Sequence, residues 1–283
     1  MATKKQARKK VTKVERPEIK IAFNSSMPRS GSELLQGLLS QHPDVCAGTT
    51  SPLLEYVYAS YKNFKDTQEA ISQKNSEVHF SSFIKGGVLS YAESYRDANQ
   101  SFYLDKSRGW VHYGNLVEKA LEKEIPVVCM VRDIADIAAS MERISRENDP
   151  SHRDPLKLVT MEERMTQWFT ATPIGLAIRR IQNALSSKRR IFFVRYEDLC
   201  STPESVMKQV TDYIGLPEFK FNFDKIEKAS GEDELAFGFK NIHTVQTKLR
   251  TEHPKAEDTL GGLASSLRQE YSGYQKLFQY STE

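Results

Sequence analysis

Long apolar runs and clusters of cysteine are missing from this sequence of 283 residues. The densest apolar run, residues 127–131, has the length of a strand and is far shorter than the roughly 18 residues that cross a bilayer. We therefore expect no stable membrane insertion. Three scattered cysteines, Cys46, Cys129 and Cys200, form neither a disulfide framework nor a metal-binding cluster. This pattern favours a reducing, cytoplasmic compartment.

An excess of charge is confined to the start of the chain. The net charge is +3, but the first 20 residues hold an excess of lysine and arginine, so that the rest of the chain is slightly acidic. Residues 1–18 are predicted to be a disordered, solvated basic arm. Since the body lacks a basic surplus, its composition argues against nucleic acid as a partner.

Short apolar segments alternate with longer amphipathic ones, which predicts an α/β fold with a parallel sheet covered by helices. We interpret residues 19–283 as one domain. The predicted strands are residues 19–23, 45–47, 101–105, 126–131 and 191–194. Of these, residues 126–131 are the most continuously apolar and are expected to be central. Long helices are predicted at 161–187 and 263–278, and the polar stretch 222–260 is expected to be a lid.

The most informative segment is residues 27–35, Met-Pro-Arg-Ser-Gly-Ser-Glu-Leu-Leu, directly after the first strand. A helix N-terminus behind a glycine-containing turn presents backbone N–H groups to an anion. Gly31 permits close approach, Ser30 and Ser32 add hydroxyl groups, and Arg29 adds positive charge. A plain helix cap is the alternative, because Ser30 and Glu33 have the spacing of a capping box. The ATP-binding pattern GxxxxGK[ST] is absent.

This segment resembles the 5′-phosphosulfate loop of sulfotransferases that use 3′-phosphoadenosine 5′-phosphosulfate (PAPS), most closely the branch of tyrosylprotein sulfotransferases and their microbial and viral relatives. Four further segments in the same order are similar to that family: 41–45 (Gln-His-Pro-Asp-Val), 105–107 (Asp-Lys-Ser), 131–133 (Val-Arg-Asp) with Ser140, and 195–199 (Arg-Tyr-Glu-Asp-Leu). The resemblance implies a P-loop-like parallel sheet, PAPS as the donor, 3′,5′-adenosine bisphosphate (PAP) as the product, and no metal.

The resemblance also implies roles for individual residues. It places the loop residues Arg29, Ser30, Gly31, Ser32 and Glu33 at the 5′-phosphosulfate. Arg132 and Ser140 are expected to bind the 3′-phosphate, and Tyr196 to contact the nucleotide. Arg29 and Lys106 are expected to stabilise the charge that develops during transfer. In the predicted lid, Lys248 and His243 are candidates for reaching the nucleotide.

Glu33 departs from the family pattern, in which a threonine or serine hydroxyl faces the 5′-phosphate. A carboxylate there would repel the donor unless it turned back into the helix cap. The general base is also different, because Thr49 and Thr50 align with the glutamate of tyrosylprotein sulfotransferases. The nearest downstream carboxylate, Glu55, is our predicted base, expected to be partly buried on a helix. Asp105 and His112 are reserves.

The expected acceptor is a hydroxyl compound, with a small molecule or a carbohydrate favoured. Several aromatic residues are candidates for the acceptor pocket, although aromatics at helical spacing more often belong to a core: Tyr56, Tyr58, Tyr61, Phe64, Trp110, Tyr113, Trp168 and Phe169. Two other functional classes remain open, a nucleotide-dependent phosphotransferase that requires magnesium and a nucleotide-binding protein without turnover.

Overall fold

Five parallel strands form the centre of the protein in a computed structural model that describes residues 18–97, 99–148, 160–229, 233–238, 240, 242–243 and 247–282. The strands are β1 (Lys20–Asn24), β2 (Val45–Thr50), β3 (Phe102–Lys106), β4 (Val127–Val131) and β5 (Phe192–Arg195). Their order in the sheet is β2-β3-β1-β4-β5. The predicted α/β fold, a single domain with a parallel sheet between helices, is confirmed.

The strands are apolar along their length because both faces of the sheet are covered. In β4 every residue is buried, and its side chains alternate between two cores. Val128 and Met130 pack on one side, whereas Cys129 and Val131 pack on the other. The strand is an inner one, as its sequence indicates, but the middle position of the sheet belongs to β1.

Helices cover both faces of the sheet and are often short. They are α1 (Ser32–Leu39), α2 (Leu53–Asp66), α3 (Gln68–Ser72), α4 (Ser76–Tyr95), α5 (Trp110–Tyr113), α6 (Asn115–Leu121), α7 (Ile134–Glu147), α8 (Met161–Thr170), α9 (Ile174–Ser186), α10 (Tyr196–Ser201), α11 (Pro203–Ile214), α12 (Ala256–Leu260), α13 (Leu263–Glu270) and α14 (Ser272–Leu277), with a short 3-10 helix at Glu234–Phe237. Helices α1 and α11 pack on one face, and the remaining long helices pack on the other. Across the described residues, none of the helices combines the length and apolarity needed to cross a membrane.

The long helix predicted at 161–187 is wrong, because the chain forms α8 and α9 with a break at residues 171–173. Pro173 has no N–H to donate to a continuing helix. The carbonyl groups of Thr170 and Ala171 instead accept hydrogen bonds from the Arg179 guanidinium, at 3.2 and 3.4 Å. The helix predicted at 263–278 is likewise divided into α13 and α14.

The sheet brings the ends of β1, β3 and β4 to one edge. Asn24, the last residue of β1, lies beside Lys106, the last of β3. From β1 the chain moves to the β2 side of the sheet, whereas from β4 it moves to the β5 side. Ligands in such sheets bind outside the carboxyl ends of the strands at this switch point. The loops after β1 and β4 therefore frame the expected site.

The predicted lid at 222–260 is described in part. Within the described portions, the backbone of Ile226 donates to Thr247 at 2.8 Å and that of Leu249 donates to Phe223 at 3.1 Å. Gln41, just after α1, donates to the carbonyl of Asn222 at 2.9 Å. These contacts attach the segment to itself and to the α1 side of the sheet. The predicted basic arm lies outside the described residues, except for Glu18.

Candidate active site

The loop between β1 and α1 is attached to the neighbouring strand β4. The backbone N–H groups of Ser25 and Met27 donate to Val128 and Met130, each at 2.9 Å. The buried hydroxyl of Ser30 donates to the carbonyls of Met27, at 2.7 Å, and Met130, at 3.0 Å. Ser30 therefore stabilises the loop on the side that faces β4, because its hydroxyl donates to two backbone carbonyl groups.

The turn requires two residues with positive φ, Arg29 at 55° and Gly31 at 92°. At Gly31 a Cβ atom would lie 2.7 Å from Cδ2 of Tyr196, so a side chain is excluded by contact as well as by conformation. Asn24 fixes the helix that follows, since its Nδ2 donates to the Ser32 carbonyl at 3.1 Å and to Gln36 at 3.0 Å. The first turn of α1 thus faces the switch point.

The alternative interpretation of this segment, a capping box formed by Ser30 and Glu33, is wrong. Gly31 is the N-cap residue of α1, and no side chain caps the helix. Ser30 is engaged by the loop, and Glu33 instead forms a buried ion pair with Lys106 through Oε1. Lys106 also donates to Thr50 Oγ1 at 3.0 Å. The second carboxylate oxygen of Glu33, Oε2, is buried without a hydrogen-bond partner among the described residues.

Two arginines lie side by side at the other end of the site. Arg29 donates from Nε to the Ser140 hydroxyl at 3.2 Å and also donates to the Ile242 carbonyl. Arg132 donates from Nη1 to the Arg29 carbonyl at 3.3 Å, and its guanidinium lies 4.4 Å from the centre of the Tyr196 ring. Burial, followed by the charge of Arg132, lowers the pKa of Arg29 to about 10. A bound anion would relieve this repulsion.

The carboxylates near Arg132 leave much of its charge unneutralised. Asp136 lies 3.9 Å from Arg132 Nη2, a long ion pair. Asp133 is engaged elsewhere, because it caps α7 and accepts hydrogen bonds from Arg268 and Gln275. Arg132 Nε is buried and makes no hydrogen bond to the described part of the chain. The guanidinium therefore has capacity for a further acceptor.

One cavity of about 390 Å³ joins these groups. Its cationic lining residues are Arg29, Lys106, Arg108, Arg132, Arg143, Lys248 and Arg250. Glu33 is the single carboxylate among the described residues that line it. Trp168, Pro173, Met141 and Ile144 form an apolar wall. The cavity is suited to an anionic ligand with an adjacent apolar or aromatic group.

Most of the predicted site residues meet in this cavity. Its lining includes Arg29, Gly31, Ser32, Glu33, Lys106, Arg132, Ser140, Tyr196, His243 and Lys248. Ser30 lies behind the loop and is not part of the lining. Lys248 is 70% exposed in its side chain and pairs with Asp224 at 2.7 Å, so its ammonium group is directed to that carboxylate.

The three candidates for the base lie outside the lining. Glu55 is exposed on α2, so its expected partial burial is wrong. Asp105 is buried and accepts hydrogen bonds from Ser51 and Tyr103, each at 2.6 Å, and from Trp110 at 2.5 Å. Burial raises the pKa of Asp105, but its donors give it a structural role. Burial, with Arg180 and Arg189 nearby, lowers the pKa of His112.

Most of the aromatic residues that were candidates for the acceptor pocket lie outside the cavity. Of the eight candidates, Trp168 alone is among the described residues that line the cavity. Trp110 is fully buried and stacks on Phe23 with ring centres 4.1 Å apart. Tyr56 and Tyr58 are exposed on α2, and Tyr61 and Phe64 border a separate small depression between α2 and α4.

Sequence reasoning missed several residues that line the cavity, including Arg108, Arg143, Arg250 and His253. Arg143 lies one turn beyond Ser140 on α7, a spacing that indicated the same helix face. Arg108 lies two residues after Lys106, in the same loop. The imidazole of His253 is 5.0 Å from the Tyr196 ring, and its buried Nε2 has no hydrogen-bond partner in the described chain. No motif singled out Arg250 or His253.

These features define a cationic cavity at the switch point of the sheet, and comparison with known proteins identifies the family. The model described as "Sulfotransferase family" matches residues 22–220. The chain belongs to the sulfotransferase family. A comparison with curated proteins gives no match.

Solved structures share the fold at low identity. The sulfotransferase domain of the Synechococcus PCC 7002 olefin synthase has a TM-score of 0.50 and 18% identity, over 98% of this chain and 99% of that one. The sulfotransferase domain from the curacin biosynthetic pathway has a TM-score of 0.50 and 16% identity, over 91% and 99%. Sulfotransferase STF9 from Mycobacterium avium has a TM-score of 0.51 and 13% identity, over 94% and 78%. At these identities the likeness shows the fold, and the tyrosylprotein-like branch stays a prediction.

Proposed function

We propose that this protein transfers a sulfuryl group from PAPS to an acceptor hydroxyl, giving PAP and a sulfate ester. The observation that carries the proposal is the arrangement of Arg29, Lys106 and Arg132 around one helix N-terminus, in a cavity whose described lining holds seven cationic residues and one carboxylate. PAPS carries anionic groups at both ends of its ribose, and this charge distribution matches that lining.

The 5′ end of the donor fits the loop after β1. Gly31 adopts the positive φ that shapes the turn, and the first turn of α1 offers its N–H groups and positive dipole end. Ser32 and Lys106 line the same part of the cavity. We assign the phosphosulfate to these groups and keep Ser30 as the residue that holds the loop in shape.

The 3′ end of the donor fits the pair of arginines. Arg132 has a buried Nε without a partner among the described residues, and Ser140 lies within hydrogen-bond distance of Arg29. A planar guanidinium suits a phosphate because it donates two parallel hydrogen bonds. We assign the 3′-phosphate to Arg132 and Ser140, and contact with the nucleotide to Tyr196 and His253.

Transfer requires cations where negative charge develops. PAPS supplies an activated sulfuryl group when bound, and no redox step is involved. Lys106 and Arg29 reach the cavity beside the loop and are assigned to stabilising the leaving phosphate. The apolar wall of Trp168, Pro173, Met141 and Ile144 is assigned to the acceptor. A small molecule or a carbohydrate is the acceptor class that we propose.

The expected cytoplasmic setting is part of the proposal. All three cysteines are free and buried, as suits a protein kept in a reducing compartment.

The first prediction concerns the 3′-phosphate. Wild type should bind PAP more tightly than 5′-AMP, and Arg132→Ala should weaken PAP binding by about 1.5–3 kcal/mol, the cost of one hydrogen bond to a charged group. The same substitution should change the affinity for 5′-AMP far less. Isothermal titration calorimetry measures all four affinities. Arg190→Ala is the matched control, because Arg190 is an exposed arginine outside the cavity lining.

Equal affinity of wild type for PAP and 5′-AMP would contradict the proposed binding site for the 3′-phosphate. Transfer itself is tested with sulfur-35-labelled PAPS and a panel of acceptors, namely phenol, 4-nitrophenol, benzyl alcohol, hexanol and glucose. Labelled product from any of them supports the proposal. Binding of ATP with magnesium, without binding of PAP, would indicate the phosphotransferase alternative instead.

A further inference from the structure

Glu33 stands out in the cavity by its charge and its position. It lies in the first turn of α1, where the helix dipole and the loop favour anions, and it is nine-tenths buried. Its Oε1 bonds Lys106, and its Oε2 has no hydrogen-bond partner among the described residues. A buried carboxylate oxygen without a donor is costly, so a partner beyond the described residues would stabilise it.

Two cationic side chains lie near the Glu33 carboxylate. Lys106, on β3, is its direct ion-pair partner, and Arg29, in the preceding loop, is close enough for the two charges to act on each other. Thr50, on β2, completes the group through Lys106. A carboxylate in this position is chemically able to accept a proton from a hydroxyl group that enters the cavity.

Other candidates for this role are excluded by what they contact. Asp105 is saturated by three donors, and Glu55 is exposed outside the lining. His253 packs on Tyr196 at the nucleotide end, where burial and then Arg132 lower its pKa. The ring of His243 packs against Phe237 at 5.3 Å. Glu33 alone combines a carboxylate, contact with Lys106 and a place in the described lining.

Resting on the proposed function, we propose that Glu33 is the general base of the reaction. The acceptor oxygen forms a bond to sulfur, and the bond between sulfur and the bridging oxygen breaks. That electron pair stays on the 5′-phosphate of PAP, and the hydroxyl proton moves to the Glu33 carboxylate. Neutralising Glu33 removes the negative charge beside Lys106 while charge develops on the leaving phosphate. Proton removal and stabilisation of the leaving group are thus coupled through one ion pair.

The test compares wild type with Glu33→Gln, which keeps the size of the side chain and a hydrogen bond but accepts no proton. With labelled PAPS and whichever panel acceptor wild type sulfates fastest, Glu33→Gln should lower kcat about 100- to 10,000-fold. Its PAP affinity should equal or exceed that of wild type, because a negative charge is removed. The wild-type rate should decline at acid pH, as expected for a reaction with a general base, and this decline should be absent from the residual activity of Glu33→Gln. Glu33→Thr, with a second uncharged side chain, should show the same loss of kcat.

Three results overturn the inference and leave the proposed function standing. The first is a kcat of Glu33→Gln within about threefold of the wild-type value. The second is a residual rate of Glu33→Gln that declines at acid pH as the wild-type rate does. The third is a loss of PAP binding by variants that still unfold cooperatively in thermal melts. If Glu33→Gln does not fold, the same criteria apply to Glu33→Thr. If wild type transfers label to no acceptor on the panel, the proposed function and the inference are both overturned.

Discussion

The ammonium group of Lys106 is shared between a carboxylate and a hydroxyl, Glu33 Oε1 and Thr50 Oγ1. It is therefore fixed at the end of β3, within the cavity and beside the loop between β1 and α1. A fixed charge in a buried site contributes most in the state where opposite charge appears. Lys106 is thus expected to contribute more to turnover than to nucleotide binding.

We predict that Lys106→Ala lowers kcat about 100-fold or more and changes the PAP dissociation constant much less. Single-turnover assays with labelled PAPS measure the loss of rate, and calorimetry with PAP measures the dissociation constant. The substitution also leaves the Glu33 carboxylate buried without its partner, which destabilises the fold. The double variant Lys106→Ala, Glu33→Gln controls for this, because it removes the unpaired charge. Normal turnover with poor PAP affinity would make Lys106 a binding residue.

At the residue scale, the sequence predicted the site residues that end or follow strands. It did not predict the site residues whose position depends on contacts between segments far apart in the chain. Arg29, Lys106 and Arg132 follow or end strands, and a parallel sheet brings strand ends together. The Glu33–Lys106 pair depends on the alignment of β1 with β3, which the sequence does not specify. His253 reaches the cavity because its segment packs on Tyr196, a contact between residues far apart in the chain.

At the scale of elements, helices α7 and α8 are tied by a buried carboxylate. Glu142 accepts hydrogen bonds from Arg164 at 2.5 and 2.8 Å and from Arg146 at 2.8 Å. The same helix, α7, carries Ser140 and Arg143 into the cavity. The ion-pair network around Glu142 therefore supports the wall of the site without touching a ligand.

We predict that Glu142→Gln lowers the melting temperature at neutral pH and that this difference shrinks in acid. Burial alone raises the pKa of Glu142, but the hydrogen bonds from Arg164 and Arg146 outweigh it and lower the pKa below its ordinary value of 4.5. A carboxyl group with a lowered folded-state pKa stabilises the fold above its unfolded-state pKa, and this stabilisation is lost as pH falls through the folded-state value.

Thermal melts from pH 7 down to the acid limit of folding measure this difference. Glu147→Gln is the control, because Glu147 is an exposed glutamate on the same helix. A gap between the Glu142→Gln and wild-type melting temperatures that stays constant with pH would contradict the assignment.

The strands were predicted more accurately than the helices, for a physical reason. Each strand is an apolar run bounded by polar residues, and all five lie within a few residues of their predicted bounds. Helix breaks depend on local backbone geometry inside otherwise amphipathic sequence. Pro173 did signal the break between α8 and α9, whereas the division between α13 and α14 at Tyr271 has no proline or glycine at that residue.

At the scale of the whole molecule, the cavity differs from the rest of the protein in its charge, because its described lining is strongly cationic. The net charge is only +3, yet seven cationic residues line one cavity of about 390 Å³. Concentrated charge of one sign in a cleft attracts anions and is weakened by salt when partly exposed. Nucleotide binding should therefore depend strongly on ionic strength.

We predict that PAP at 100 times its dissociation constant stabilises the fold by about 2.7 kcal/mol. This stabilisation should decrease when sodium chloride is raised at a fixed PAP concentration. Thermal melts with and without PAP at several salt concentrations measure both effects. Adenosine is the control ligand, because it is uncharged and any shift that it causes should not depend on salt. A PAP shift independent of salt would contradict an electrostatic cavity.

The attachment to β4 of the loop between β1 and α1, our proposed phosphate-binding loop, has a consequence for how the protein folds. The Ser30 hydroxyl donates a hydrogen bond to the carbonyl of Met130, which lies on β4, 100 residues further along the chain. The loop therefore cannot take its anion-binding shape during synthesis until β4 has emerged from the ribosome and docked beside β1. Contacts between residues so distant in sequence slow folding, because the chain loses the entropy of loop closure before these contacts form and stabilise it. The active site is thus among the late features to form, and a chain that stops before β4 would hold the loop sequence without a binding site.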